Sequence, residues 1–354
     1  MAARNEGVLR AQKASYPMRN VAAGILAGLV VALVTASTLS SQGGGVDHTV
    51  TQADMDRWKV ELSNWGRWGK DDQNGTLNLI TPAKRKQAVG LMKEGIPVSL
   101  ARDAATEKDI DIPLPYEDVM VADGSGRPSA SDRISVQFHG LAHTHLDSLA
   151  HHFMRDKMYN GYPRKDYVTM QSGATKNSII NVKSGVFTRG ILMDIPRLKG
   201  VPYLEPGTPI YVEDLEAWEK QAGVKVSAGD AVFIRTGRWV RRAKLGPWSD
   251  GKQAGLDASV IPWLKKRDIA LLGSEAALSV TPIPPTSTIT DPDDYSPVHN
   301  FVLVALGMPL FDNCDLSALS EAAAVRKRWE FLLTAAPLPL RAGTGSPINP
   351  IAYF

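Results

Sequence analysis

Five of the seven histidines in this 354-residue chain lie between positions 139 and 152, in the run His139-Gly-Leu-Ala-His143-Thr-His145-Leu-Asp147-Ser-Leu-Ala-His151-His152. A fold that takes this run inside must give every imidazole a partner, because a buried polar group without one is costly. On an extended strand side chains two apart share a face. His143, His145 and Asp147 are then expected to project together, with His139 and Leu141 on the same parity. A His-x-Asp pair lets one divalent ion reach a ring nitrogen and a carboxylate oxygen, and leaves the second oxygen for another ion. The plainer reading is a set of surface or core histidines tied by ordinary hydrogen bonds.

The rest of the composition narrows the class. Hydrophobic residues make up 44% and charged residues 22%, and the formal net charge is +3. These proportions suit a globular chain and exclude a disordered, collagenous or polytopic membrane protein. Lys and Arg are scattered among the acids with no basic, aromatic-interleaved stripe, so nucleic acid is not an expected partner. The single cysteine, Cys314, excludes an intramolecular disulfide and any cysteine-based zinc ribbon.

The first 45 residues read as a targeting segment. Arg4, Arg10, Lys13 and Arg19 precede an apolar run from Val21 to Val34, then Thr35-Ala36-Ser37 and the linker Gln42-Gly43-Gly44-Gly45. A positive flank, a short hydrophobic stretch and small residues describe an export signal. The run is short of the roughly 20 residues of a full span. Cleavage after the small residues is preferred, with an uncleaved anchor as the alternative.

From residue 46 to 354 neither a linker nor an internal repeat breaks the chain, which predicts one domain. Ile134–Phe138, Ser178–Val182, Gly190–Asp194 and Ala231–Arg235 suit strands. Glu213–Gln221 opens with acids and Ser259–Arg267 closes with bases, as the helix dipole prefers, and Leu316–Leu333 is expected as a third helix. This mixture predicts an α/β or α+β domain around a central β-layer.

Thr144-His145-Leu-Asp147-Ser-Leu-Ala-His151 resembles the T-H-x-D-x-x-x-H signature of the cyclase family of metal-dependent hydrolases, which includes bacterial kynurenine formamidases and isatin hydrolases. Trp65-Gly-Arg-Trp68-Gly-Lys-Asp-Asp72-Gln-Asn74-Gly-Thr-Leu-Asn78, Arg235-Thr-Gly-Arg238 and Gly343-Thr-Gly-Ser-Pro-Ile-Asn-Pro350 are similar to further blocks of that family, so the likeness runs from about Asn64 to the end. It implies a swivelling β/β/α fold, a homo-oligomer, and one or two divalent ions, zinc or manganese.

Residue by residue, the resemblance implies metal ligation by His145 and Asp147, with Asp147 able to bridge two ions, and proton transfer by His151. His299 and Asp312 match the distal ligand pair, Asp312 standing where the family has glutamate. The family's first ligand position falls on Leu141, which cannot bind a metal. His143 or His139 must supply that nitrogen, Gly140 being able to bulge the strand, and His143 is preferred as the nearer. Read without the resemblance, His299 is a helix-capping residue and Asp312 a turn residue.

Trp65, Trp68, Tyr159 and Trp239 are candidates for an aromatic substrate wall, or simply core. Glu275 ends an apolar strand, as a functional acid or a loop acid. Ser148 lacks the glycines of a nucleophile elbow. Gly343-Thr-Gly-Ser346 is either an anion cradle or a tight turn.

The expected activity is hydrolysis of an amide-type C–N bond, in a formamide or lactam, by a metal-activated water. The alternatives are a cyclase or isomerase acting on a small cyclic substrate, and an exported, non-catalytic metal- or ligand-binding protein. The expected location is periplasmic or extracellular, with the membrane touched only through an uncleaved amino terminus.

Overall fold

In the segment Ala231-Val-Phe-Ile-Arg235, alternate residues enter two different apolar clusters. Val232 and Ile234 join Ile191, Met193, Leu272 and Leu310, whereas Ala231 and Phe233 join Leu192, Leu271, Phe311 and Phe331. A strand buried on both faces reads as a continuous apolar run, which is how this segment is written. The layer it occupies lies between two apolar clusters, and the site described below is built on strands towards one end of the same sheet.

The computed structural model describes residues 46–126 and 128–354, of which Asp47–Phe354 form one compact unit. The targeting segment expected over residues 1–45 lies outside the described residues. No helix among the described residues is long and apolar enough to cross a membrane.

The strands used here are β1 (Pro97–Ser99), β2 (Glu117–Ala122), β3 (Ser131–Ser135), β4 (His145–Asp147), β5 (Val186–Asp194), β6 (Ala231–Arg235), β7 (Leu271–Ser274), β8 (Leu310–Asp312), β9 (Glu330–Ala335), β10 (Gly345–Pro347) and β11 (Ile351–Tyr353). Nine form one mixed sheet in the order β1-β11-β9-β5-β6-β7-β8-β4-β10, and β2 and β3 make a separate hairpin. The central pairs β5–β6, β6–β7 and β7–β8 are parallel. Their crossovers carry the helices Val212–Ala222, Arg238–Leu245, Ile261–Arg267 and Pro297–Phe301, as parallel neighbours require. Leu215, Trp218, Leu264 and Phe301 of these helices fill the first cluster.

Three expected elements take another form. The strand expected over Ile134–Phe138 ends at Ser135, in β3. Ser178–Val182 contains a 3-10 helix, Ile179–Val182, that buries Ile179 and Val182 three residues apart. That spacing eclipses side chains in a 3-10 turn and does not alternate as a strand would. The expected helix over Leu316–Leu333 is confined to Ser317–Arg326; Lys327 takes φ +50° and closes it. Phe331 and Leu333 then alternate inside β9, which pairs antiparallel with β5.

The histidine run is not one long strand either. Only His145–Asp147 is extended, and His139–Ala142 forms a turn with Gly140 at φ +122°. β4 is antiparallel to both neighbours, with His145 opposite Asp312 and Asp147 opposite Leu310 on one side, and Pro347 and Gly345 opposite them on the other.

Candidate metal centre

Asp147 is fully buried, and four imidazoles surround its carboxylate. His139 Nδ1 stands 3.0 Å and His145 Nε2 3.3 Å from Oδ1; His299 Nε2 stands 3.4 Å and His151 Nε2 3.7 Å from Oδ2. Asp312 enters through His299, whose Nε2 lies 3.1 Å from its Oδ2. Two sets of ligand atoms converge within 4.8 Å, His139/Asp147/His151 and His145/Asp147/Asp312, with Asp147 common to both.

The donors point at shared space more than at one another. Both oxygens of Asp147, Oδ1 of Asp312 and Nδ1 of His139 are buried without a hydrogen-bond partner. The 3.0 Å approach of His139 to Asp147 therefore lacks hydrogen-bond alignment. Native interiors leave few such groups unsatisfied. An ionised carboxylate with both oxygens free, ringed by imidazoles that can give up their protons to a metal, is the donor set of a divalent cation.

Backbone groups behind the centre set the tautomers. His145 Nδ1 faces the carbonyl of His143 at 2.8 Å, which places a proton on Nδ1 and turns Nε2 inward, where a bound ion would take the place of its proton. His139 Nε2 meets the Thr344 hydroxyl at 3.0 Å. Thr344 belongs to the carboxy-terminal glycine block, whose carbonyl also accepts from the Ser148 hydroxyl at 2.8 Å. That block therefore buttresses the histidine turn. A side chain at Gly345 would lie 2.7 Å from the Leu146 carbonyl and 2.9 Å from His139 Cε1.

The charges are strongly shaped by this packing. Burial opposes ionisation of Asp147, yet the charges of His151 and His145 and the approach of His139 hold its pKa well below the usual carboxylate range. Burial likewise opposes a proton on His145, but Asp147, Asp312 and the His143 carbonyl push it up to about 9. His299 is pushed up to about 10, its burial outweighed by Asp312 and Asp147. Burial dominates at His151, lowered to about 4 although Asp147 opposes the shift, and at His152, lowered to about 2.

Of the residues expected at the site, His145, Asp147, His151, His299 and Asp312 are brought together. His143 is not. Its Nε2 is 2.8 Å from the carbonyl of Leu114, and its ring stands edge-on to Tyr116 at 4.7 Å. The shared parity of residues 139 to 147 needs an unbroken strand, and the turn at Gly140 breaks it, carrying His139 inward in place of His143.

Of the aromatic candidates, Tyr159 is corrected. Tyr159 has no exposed surface, and its hydroxyl donates to Asp72 Oδ2 at 2.9 Å, so it is core. Trp65 gives its indole N–H to the Val304 carbonyl at 2.7 Å and lines an open groove of about 530 Å³ with Met154 and Ala305. Trp68 carries the Arg67 guanidinium 4.7 Å above its ring. Trp239 donates to the Cys314 carbonyl at 2.7 Å.

Glu275 is a capping acid. Its Oε2 accepts the N–H groups of Thr236, Gly237 and Arg238 at 2.8, 2.6 and 3.2 Å, at the start of helix Arg238–Leu245. Anions favour that end of a helix.

Two residues at the centre were not foreseen in this place. His152 packs edge-on to His299 and His151, with ring centroids 4.7 and 4.5 Å away, and Tyr295 lies 6.0 Å from it. The doubling of His151 by His152 was the only signal available in the sequence.

The model of the Cyclase family matches residues 48–278. Among solved structures, the crystal structure of a novel cyclase is 31% identical, with a TM-score of 0.73 over 83% of this chain and 100% of that one. Isatin hydrolase A from Ralstonia solanacearum is 20% identical, with a TM-score of 0.50 over 75% of this chain and 93% of its own. Isatin hydrolase A from Labrenzia aggregata, bound to benzyl benzoate, is 18% identical, with a TM-score of 0.52 over 75% and 94%. Likeness to these two hydrolases is likeness of fold. No curated protein matches the chain. With a family match that spans more than half of the chain and takes in His145, Asp147 and His151, the protein belongs to the cyclase family.

Proposed function

We propose that this protein is a metal-dependent hydrolase that cleaves an amide-type C–N bond, in a formamide or lactam, of a small molecule. One observation carries the reading: the buried carboxylate of Asp147 has both oxygens free of hydrogen bonds and four imidazole nitrogens within 3.0 to 3.7 Å. His139, His145, Asp147, His299 and Asp312 would hold one or two divalent ions. Mixed imidazole and carboxylate donors suit zinc or manganese. A bound ion of this kind brings the pKa of its water towards about 7 and polarises a carbonyl oxygen.

The chain's own part in the reaction is proton handling. His151 is neutral at physiological pH because burial lowers its pKa to about 4, so its ring nitrogen is free to accept a proton. Stacking on His139, at 3.8 Å with the planes 6° apart, fixes the plane in which that nitrogen moves. Returning the proton to the leaving nitrogen completes the cycle.

The amino-terminal hydrophobic segment supports export, so scavenging or detoxifying an environmental compound is the favoured role. Turnover of N-formylkynurenine at the rate of a dedicated enzyme would overturn that role. Ring closure on a small substrate is the second reading, favoured by the 31% identity to a structure described as a cyclase.

The test combines elemental mass spectrometry of the purified protein with hydrolysis assays on isatin and a panel of small lactams and formanilides. One or two equivalents of zinc or manganese with turnover is the expected result. A chain that neither carries metal nor takes it up at micromolar concentration would overturn the proposal.

A further inference from the structure

Three backbone carbonyls of the turn that carries His139 are each held by a donor from elsewhere in the chain. Asn313 Nδ2 donates to the carbonyls of Gly140 at 2.7 Å and His143 at 3.1 Å. Arg238 Nη2 donates to the Leu141 carbonyl at 2.7 Å. The two donors are joined, because Arg238 Nη1 donates to Asn313 Oδ1 at 2.9 Å and to the Glu275 carbonyl at 2.9 Å. Thr144 closes the turn by donating its hydroxyl to the Asn313 carbonyl at 2.7 Å.

Both residues are deep in the structure, with Arg238 8% and Asn313 0% exposed. Among the described residues Arg238 makes no ion pair with a carboxylate within 4.0 Å, although it is buried. A guanidinium kept for stability alone is usually paired, since burying a lone cation is costly. This one directs its planar fork at neutral oxygens, and such a fork fixes the directions of its acceptors.

The turn needs that restraint. Gly140 sits at φ +122°, where side chains are disfavoured, and nothing lies within 4 Å of the place its Cβ would occupy. His139 itself packs on His151 and on the carboxy-terminal glycine block, but no side chain fills the space beside Gly140, so the orientation of that peptide is set through its carbonyl. Asn313 directly follows Asp312, so one short segment supplies a carboxylate to the centre and grips the turn that supplies the opposite imidazole.

We infer that Arg238 and Asn313 are positioning residues that set where His139 stands relative to Asp147 and Asp312, and thereby the spacing between the two halves of the centre. The inference rests on the metal-site reading above. Glu275 is the far anchor of the same arrangement, since its carboxylate holds the amide of Arg238 and its carbonyl the side chain.

The test is Zn²⁺ binding by the full chain, measured by competition with a chelating dye, for the parent, Asn313→Asp and Arg238→Lys. Asn313→Asp keeps the shape of the side chain, tolerates the φ of +55°, and can still accept from Arg238. It puts an oxygen where the donor to Gly140 and His143 stood. Arg238→Lys keeps the cation and loses the fork.

Supports of metal ligands are worth on the order of 10–100-fold in affinity. A loss of that size in both variants is expected, with an altered Co²⁺ d–d spectrum, each variant being compared with the parent at a temperature below its own metal-free thermal midpoint. Variants that bind Zn²⁺ as tightly as the parent, with the same Co²⁺ spectrum, would overturn the inference. If Arg238→Lys does not fold, Asn313→Asp decides alone by the same two readouts. A parent chain that takes up no Zn²⁺ overturns the metal-site reading itself, an outcome visible without any variant.

Discussion

His139 Nδ1 lies 3.0 Å from Asp147 Oδ1, while His143, four residues nearer in the chain, turns its ring away to the carbonyl of Leu114. The two histidines therefore separate in their predicted effects. His139→Ala should lower metal affinity by about 100-fold or more, at least the effect of losing a supporting group. His143→Ala should keep the metal count and cost about 0.5–1.5 kcal/mol of stability, because it removes a part-buried hydrogen bond to the Leu114 carbonyl. Elemental analysis and urea unfolding of the two variants read both effects; equal metal loss in both would contradict the assignment.

Replacement of His151 by alanine separates an enzyme from a binding protein. General acid–base catalysis contributes about 10²–10⁴-fold. Turnover should fall by that range while the metal held through His145, Asp147 and Asp312 remains. An active wild type whose His151→Ala variant turns over at the same rate would remove His151 from the mechanism.

The metal-free protein should be most stable near pH 6.5. His145 and His299 have pKa values raised to about 9 and about 10. Their contribution is present below the unfolded value and is lost as pH rises through those values. His151 is lowered to about 4, so the unfolded chain binds its proton first as pH falls from 6.5 towards 4, and stability falls there too. Urea unfolding in chelator from pH 4 to 10 should trace a maximum between the two limbs. Metal uptake must displace the protons on His145 and His299, so it should release protons and strengthen with pH up to about 10. Calorimetry in buffers of different ionisation enthalpy counts the protons released.

Gly345→Ala should be disruptive for a residue so far in sequence from the histidines. The added carbon would meet the Leu146 carbonyl at 2.7 Å and His139 at 2.9 Å. Overpacking of this kind costs about 1–3 kcal/mol. Because the contact is with His139, metal affinity should fall with stability. A variant with parental melting and parental metal binding would show that the block is not pressed against the turn.

Much of the site was legible because its residues combine chemistry with spacing. His145 and Asp147 share a strand face at i and i+2, and both do face the centre. His299 and Asp312 had plain local readings as cap and turn residues, and only their resemblance to a distal ligand pair raised them above those readings. The choice between His139 and His143 was not legible, since it turns on one glycine φ and on donors from residues 238 and 313 that no local pattern shows. Tyr159 was unreadable for a similar reason. An aromatic residue looks the same in a wall and in a core until its hydroxyl partner, here Asp72, is known. The strand Ala231–Arg235 was the clearest element, being apolar at every position but its last and bounded by turn residues. Leu316–Leu333 misled because helical composition runs on past Lys327, and only pairing with β5 makes Glu330–Ala335 extended.

β4 is only three residues long, and its neighbours, Leu310–Asp312 and Gly345–Pro347, both come from the last part of the chain. A nascent polypeptide emerging from the ribosome therefore exposes its histidine run long before either flanking strand has been synthesised. Contacts so distant in sequence form late and slowly. The centre is incomplete until Asp312 and the block ending at Pro347 have been made, so an ion seated with native geometry would report that both strands flanking β4 are paired.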